Sequence, residues 1–555
     1  MTVPRPAFVP TMRGLRELAG ALGIAAARAP ELTVGALGVL VSAAFAWVPS
    51  LWYDEGATVT SATRSWAALW AEVHNVDAVH GLYYACMHAW FWLVGYSPFT
   101  LRFPSALAVG VAAALVVALG RRIGGLRLGI VSGVLFVVLP RVVWAGGEGR
   151  PYATVTALSA ALTLVGLAAV RSARPPAAGA SAVPRSRWRG VAWWGGYGVL
   201  AAVAVTFNVY LALVVVAHGA AIVWTALDHR AELRRNAGRL RDAAPPRPLV
   251  SAAAAGRWAT AAALAAVVVV PVVLEVISQS GQVGWIDGVR WATVHQVFAT
   301  AWFGGSRSFA TVAWALMVLG VVLALRAARR SDRTVRDRAR AQTVRVALPL
   351  VVLPTGILVT VTAFGEHLYS PKYASLSLPF VALLMGLALT AIRPRVTLAV
   401  AVVTVLALTI PTTVGVKTPQ AKQDSTWVEA AAILEQQRTL RPSANEGVIY
   451  GSVYRHPTTT AQIIRDAYPS AFQGLTDLAA VTTGADTGQL WDTNGPVATT
   501  VPSRLGDIDT VWFVGGPTRN IQPEVTETLD AEGFTVAGYW RTGEVILTEY
   551  TRAPR

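Results

Sequence analysis

The chain has 555 residues, of which 54% are hydrophobic and 14% charged, with a mean hydropathy of +0.48; soluble domains carry about 25% charged residues, so an ordinary soluble enzyme is excluded. The net charge of +16 would suit a nucleic-acid partner, but the arginines fall in short runs between apolar stretches, and no nucleic acid is expected. The single cysteine, Cys86, rules out an intrachain disulfide and a cysteine-based zinc site.

In chain order, residues 1–32 read as a cytoplasmic N-terminal segment, because the short apolar stretch at 18–27 is interrupted by Arg28 and a better span begins at Thr33. Apolar stretches able to cross about 30 Å of hydrocarbon are predicted at 33–52, 104–119, 128–144, 152–170, 191–206, 209–227, 258–277, 308–325, 346–364, 374–391 and 397–414. The aromatic stretch at 81–95 is short for a crossing. If it spanned, the basic loops after it would face outward, against the positive-inside rule. Laid in the interface as a juxtamembrane helix, it leaves 29 of the 47 basic residues on the inside and seven on the outer membrane loops. The prediction is therefore eleven spans over 33–414, an inner N-terminus and an outer tail. Ser61 and Ser370 then fall outside, and Ser181, in an Ala/Pro-rich loop at 174–184, falls inside.

The tail, 415–555, has α/β character. A helix starts after Thr426 with a Thr426/Glu429 capping pair. A strand at 448–450, a helix at 461–468 and a strand at 510–514 follow, then a helix opened by Pro523 and closed near Gly533, and paired strands at 534–540 and 545–549. Its Val514-Gly515-Gly516 is no dinucleotide fingerprint.

Charged groups mark the outer side. Asp54 and Glu55 directly follow the first span beside Trp52 and Tyr53; they either cap a solvated loop helix or, crowded in a partly desolvated site, supply a general base. Glu148 and Arg150 sit at a hinge with Tyr152, where they either pair with each other or serve a ligand. His367, Lys372 and Tyr373 form a third cluster, and Arg307 opens a late span; cations on the side opposed by the positive-inside bias suit an anionic ligand. His74, Asp77 and His80 resemble a metal triplet, but His74 and His80 fall on different helical faces, and His80 better suits a substrate oxygen. No motif demands a resident cofactor, and a divalent metal stays compatible with the chemistry. No phosphate-cradling Gly loop occurs, so a sugar donor at the outer face has to arrive in the membrane, carried on a lipid phosphate that needs charge neutralisation more than protonation.

Asp54-Glu55, His80-Gly81-Leu82-Tyr83-Tyr84, Arg102-Phe103-Pro104-Ser105-Ala106, Glu148-x-Arg150-Pro151-Tyr152 and Lys372-Tyr373, in that order, resemble the GT-C glycosyltransferases of the dolichyl- or polyprenyl-phosphate-mannose type: protein O-mannosyltransferases, the aminoarabinose transferases of lipid A, and glycosyltransferase family 39 more broadly. The likeness covers roughly 33–395. It departs at His80-Gly81, where the family reads His-Pro-Pro or Lys-Pro-Pro, and at Lys372-Tyr373, where Arg-Tyr is common. It implies a polytopic GT-C-like α-helical membrane enzyme and inverting transfer from a polyprenyl-phosphate sugar to a glycolipid, glycan or protein. Asp54 would be the base with Glu55 its neighbour. Arg307, Lys372 and Tyr373 would hold the donor phosphate, and His80, Arg102, Glu148, Arg150, Tyr152 and His367 would line the sugar and acceptor site. The arginine-rich, lysine-poor composition resembles actinobacterial envelope mannosyltransferases; mannose comes first, arabinofuranose next. A lipid-sugar flippase or transporter and an outer-face polysaccharide ligase are the competing readings.

Overall fold

The structure, a computed structural model, describes residues 28–172, 187–235, 250–330, 334–453 and 459–552. The segment before Arg28 and the 174–184 loop with Ser181 lie outside the described residues.

Helices α1 (Pro30–Ala43), α2 (Tyr53–Ala62), α3 (Trp66–Val73), α4 (Gly81–Val94), α5 (Pro98–Gly124), α6 (Leu126–Val138), α7 (Pro140–Gly146), α8 (Tyr152–Ser172), α9 (Arg187–Phe207), α10 (Ala212–Arg235), α11 (Ala252–Ser278), α12 (Arg307–Ala328), α13 (Val335–Ala363), α14 (Leu378–Ala391) and α15 (Arg395–Gly415) form the apolar part. Among the described residues nine helices are long and apolar enough to cross a membrane, and α6 with α7 makes a tenth span, bent by 64°. Adding α1, a helix stands at each of the eleven predicted positions. The chain is a multi-pass membrane protein.

Two predicted spans differ in shape. The first, expected over 33–52, ends at Ala43, because Phe45 takes a positive φ of 57° and the chain turns; its 14 residues rise about 21 Å, short of a full crossing. The span at 128–144 breaks where Pro140 follows Leu139, since proline has no N–H to continue the ladder and its ring clashes with the preceding turn. Small residues let α1 lie against α5: a Cβ on Gly110 would come within 2.8 Å of the Gly35 carbonyl oxygen.

After α15 come α16 (Trp427–Leu440), β1 (Glu446–Tyr450), α17 (Gln462–Ala467), β2 (Thr476–Asp477), β3 (Ala480–Thr482), β4 (Thr493–Asn494), β5 (Thr510–Gly515), α18 (Gln522–Ala531), β6 (Thr535–Thr542) and β7 (Val545–Thr551). The main sheet runs β2-β1-β5-β7-β6, with β1 parallel to β2 and β5, and β7 antiparallel to β5 and β6. Ile449, Val511, Phe513, Leu529 and Ile546 build its core. The expected capping pair does not form: the Thr426 hydroxyl donates to the Thr542 carbonyl at 2.5 Å, and Glu429 accepts from Gln420. Tertiary pairing with β6 has taken the capping oxygen.

This domain sits on the loops around α2. Tyr468 Oη accepts the Leu51 N–H at 2.8 Å, Ser425 and Ser50 share a 3.1 Å hydroxyl contact, Thr60 donates to Asp466 at 2.8 Å, and Arg64 donates to the Leu490 carbonyl at 2.9 Å.

Candidate active site

Asp54 lies in the first turn of α2, after the extended residue Trp52. Lys372, in the 3-10 turn leading into α14, places its Nζ 2.7 Å from Asp54 Oδ2. Three aromatic rings surround that ammonium: Trp285 at 5.0 Å, Trp52 at 5.9 Å and Tyr152 at 6.0 Å from Nζ to ring centroid, distances at which the ring quadrupole stabilises a cation.

Arg150, in the turn before α8, stands behind Asp54. Its Nη1 donates to the Asp54 backbone oxygen at 3.2 Å, to Thr58 Oγ1 at 3.3 Å and to Tyr84 Oη at 3.0 Å, and Tyr84 in turn donates to Asp77 at 2.6 Å. Asp77 adopts left-handed φ of 59°, which a short polar side chain tolerates, and this turn delivers His80 to the same pocket. Among the described residues, His80 Nδ1, the Tyr83 hydroxyl and Arg150 Nε are all buried without a protein partner. Unpaired buried polar atoms are rare in folded proteins, and two of these three belong to His80 and Arg150, which act on Asp54; such atoms mark a place that a polar ligand or water completes.

The charges settle as follows. Burial pushes the Asp54 carboxyl up, but Lys372 and Arg150 together outweigh it and bring it down to about 2. His80 is driven well below the usual imidazole value by burial, with Arg150 adding to the effect against Asp54, so it stays neutral near pH 7.

Of the other residues singled out in the sequence, Tyr152 faces Lys372, and Tyr373 stacks on Tyr210 at 4.5 Å. His367 is exposed and holds the loop that carries Trp285, its Nδ1 paired with the Ile286 carbonyl. Arg307 is exposed at the first turn of α12, with no hydrogen bond or ion pair to its side chain among the described residues. The loop before it reaches the Lys372 turn through Trp302, whose Nε1 donates to the Ala374 carbonyl at 3.2 Å.

Three expected site residues are turned into the protein instead. Arg102 is wholly buried, and its five N–H groups meet five acceptors: Glu55 twice, at 2.7 and 2.5 Å, and the carbonyls of Ala46, Pro49 and Ser50. No donor remains for a sugar. Glu55 gives both oxygens to Arg102 and one also to the Gly149 N–H at 2.8 Å. Glu148 accepts from Trp52 Nε1 at 2.6 Å and pairs with Lys422. Lys422, Trp285 and the Asp77–Tyr84 relay were not anticipated. Rarity was the available signal for Lys422, one of three lysines in the chain; contacts across hundreds of residues leave none.

Among the described residues no three His, Cys, Asp or Glu side chains gather as a metal-holding group. His74 pairs with the Trp70 carbonyl, and Asp77 with Tyr84.

No protein-family model matches the chain, and no curated protein matches it by sequence. Solved structures do. ArnT from Cupriavidus metallidurans in the apo state aligns with TM-score 0.55 and 13% identity over 94% of this chain and 98% of its own. The same protein bound to undecaprenyl phosphate aligns with TM-score 0.50 and 14% identity over 97% and 98%. The architecture defined by these alignments and by the helices and terminal sheet is a polytopic membrane fold of the GT-C type.

Proposed function

We propose that the protein is an inverting glycosyltransferase that takes a sugar, mannose first and arabinofuranose next, from a polyprenyl-phosphate donor and attaches it to an envelope glycolipid, polysaccharide or protein at the outer face of the cytoplasmic membrane. The observation that carries this reading is the Asp54–Lys372 pair inside its aromatic box, backed by Arg150. The fold likeness to a protein solved with undecaprenyl phosphate supports the donor class.

In the free protein Lys372 and Asp54 neutralise each other. An arriving donor phosphate, a diester with one negative charge, competes with Asp54 for Lys372, with Arg307 as the second cation, and the charge that builds on it as the sugar leaves strengthens its hold on both; a cation at the positive end of α12 is unfavourable until an anion joins it. Freed of its strongest partner, Asp54 becomes more basic and accepts the acceptor's hydroxyl proton. The acceptor oxygen attacks the anomeric carbon as the bond from that carbon to the phosphate oxygen breaks, and the electron pair leaves with the polyprenyl phosphate. One displacement inverts the anomeric configuration. Tyr373 and Tyr152 flank the phosphate end, and neutral His80 offers a hydrogen bond to a sugar or acceptor oxygen.

The test incubates purified protein with polyprenyl-phosphate mannose, then polyprenyl-phosphate arabinofuranose, and a panel of envelope glycolipids and peptides, with products identified by mass spectrometry. Transfer from one donor, lost in Asp54→Asn, is expected. Movement of intact donor across vesicles with no transfer would establish a flippase, and transfer of a whole preassembled chain would establish a ligase.

A further inference from the structure

A cavity of about 660 Å³, counted with the open space at its mouth, lies between α8, α9, α10, α11 and α13. It is separate from the Asp54 pocket. On α8, Tyr152 belongs to that pocket, whereas Thr163, Gly166, Leu167 and Val170 line the cavity, beginning eleven residues, or about 16 Å, farther along the axis. The cavity thus occupies the half of the bundle that carries the arginine-rich loops.

Much of its polar lining is joined in one hydrogen-bonded chain. Thr163 Oγ1 donates to the Ser159 carbonyl at 2.9 Å and therefore accepts from His218 Nε2 at 2.9 Å. His218 Nδ1 then accepts from Tyr197 Oη at 2.9 Å, and Tyr197 accepts from Trp258 Nε1 at 3.2 Å. One direction of donation runs through the chain, with a neutral imidazole at its centre. Trp194 also lines the cavity, is 5% exposed, and its Nε1–H has no partner among the described residues. At the polar end Arg345 is paired with Asp228, which leaves no net charge there.

We propose that this cavity binds one acyl chain of an ester-linked phospholipid, whose ester carbonyl accepts the Trp194 N–H. Three observations converge. The cavity lies between helices long and apolar enough to span a membrane, so lipid chains are its surroundings. The lining is mainly apolar, with the buried Trp194 N–H and the uncharged Gln342 amide among its polar groups, which suits a hydrocarbon body carrying an uncharged acceptor. The Arg345–Asp228 pair supplies no free cation, so it does not select a doubly charged phosphate monoester such as a polyprenyl phosphate. A lipid held there would wedge five spanning helices from the end opposite Asp54. The site does not depend on the transfer reaction proposed above.

Native mass spectrometry of the full chain in detergent, titrated with phosphatidylglycerol and separately with undecaprenyl phosphate, tests the assignment. Wild-type protein is expected to retain one phosphatidylglycerol. Trp194→Phe, which keeps an aromatic ring but loses the N–H, should weaken retention by about three- to tenfold, the worth of one hydrogen bond; Ala221→Trp, which fills the cavity, should abolish it. A phosphatidylglycerol bearing a diazirine at its chain end should crosslink in wild type to peptides containing residues 194–197 and 218–225. Equal retention in all three proteins, or crosslinks confined to other surfaces, would overturn the site. Preferential retention of undecaprenyl phosphate would overturn the lipid class.

Discussion

Asp54 and Glu55 are chain neighbours in opposite circumstances. One faces Lys372 and a pocket with unpaired polar atoms; the other is locked to Arg102 with no exposed surface. Adjacent helical residues point about 100° apart, so the sequence shows two acids side by side without telling which of them meets Lys372. Asp54→Asn should cut turnover by about 10² to 10⁴-fold, the range for a general base, while donor binding persists; near-normal turnover in folded protein would remove Asp54 from the mechanism. Glu55→Gln strands a buried guanidinium charge and should destabilise the fold by about 3 to 5 kcal/mol, read as a lowered melting temperature in detergent; unchanged melting would deny the pair its structural role. The pH dependence has a definite sign. Asp54 is depressed to about 2 in the folded protein, so its ionised form persists far into acid, and the stability it adds, present above the ordinary carboxylate value, is lost as pH falls toward 2. In kcat/KM the wild type should therefore show no acid limb from Asp54 near pH 5 or above. Lys372→Gln removes the largest charge opposing burial, and the limb should move upward. The same limb position in both proteins would mean that Lys372 does not set the Asp54 proton affinity.

At the scale of elements, periodicity and proline placement were good guides, and long-range side-chain contacts were the blind spot. The strands at 448–450 and 510–514 and the helix starting at Pro523 match β1, β5 and α18 because local patterning alone defines them. The first span came out too long because the 44–52 segment is as apolar as a helix would be. What bends it is Arg102, whose acceptors at Ala46, Pro49 and Ser50 lie over fifty residues away. Glu148 was read as a ligand residue for the same reason: its partner, Lys422, is 274 positions distant and belongs to the segment leading into the sheet domain. That ion pair fastens the terminal domain to the Trp52 side of the site, since Glu148 also holds the Trp52 indole. Lys422→Met should leave Glu148 buried and uncompensated and lower stability by about 3 to 5 kcal/mol, with much of the loss restored in Lys422→Met/Glu148→Gln, where no lone charge remains. Additive losses in the double variant, measured by thermal unfolding, would show that the two residues act independently.

Over the whole molecule, contacts between distant loops count membrane crossings. Arg150 touches the Asp54 backbone, so the chain crosses an even number of times between them; α5 and the bent α6–α7 pair give two, and α4 adds none. Lys372 touches Asp54 after six further spanning helices, α8 to α13, and Lys422 touches Glu148 after two more, the segment ending in α14 and then α15. The active-site loops and the sheet domain consequently share one side. Which side it is rests on charge: the opposite loops hold most of the arginines, and the positive-inside rule assigns them to the cytoplasm. Labelling with a membrane-impermeant maleimide decides the matter, but the two serines that the sequence placed outside are poor reporters, Ser61 being wholly buried and Ser370 8% exposed. Exposed positions serve better: Ala67 beside α2, Asp530 in α18 and Ala253 at the start of α11, each changed to cysteine in a Cys86→Ala background because the native cysteine is exposed. Ala67→Cys and Asp530→Cys should react in intact cells, and Ala253→Cys only after permeabilisation. Reaction of Ala67→Cys and Ala253→Cys from the same side would break the crossing count, while the reverse pattern, with only Ala253→Cys reactive in intact cells, would keep the fold and place the active site in the cytoplasm. There nucleotide-linked sugars are available, and the case for a lipid-carried donor would lose its premise.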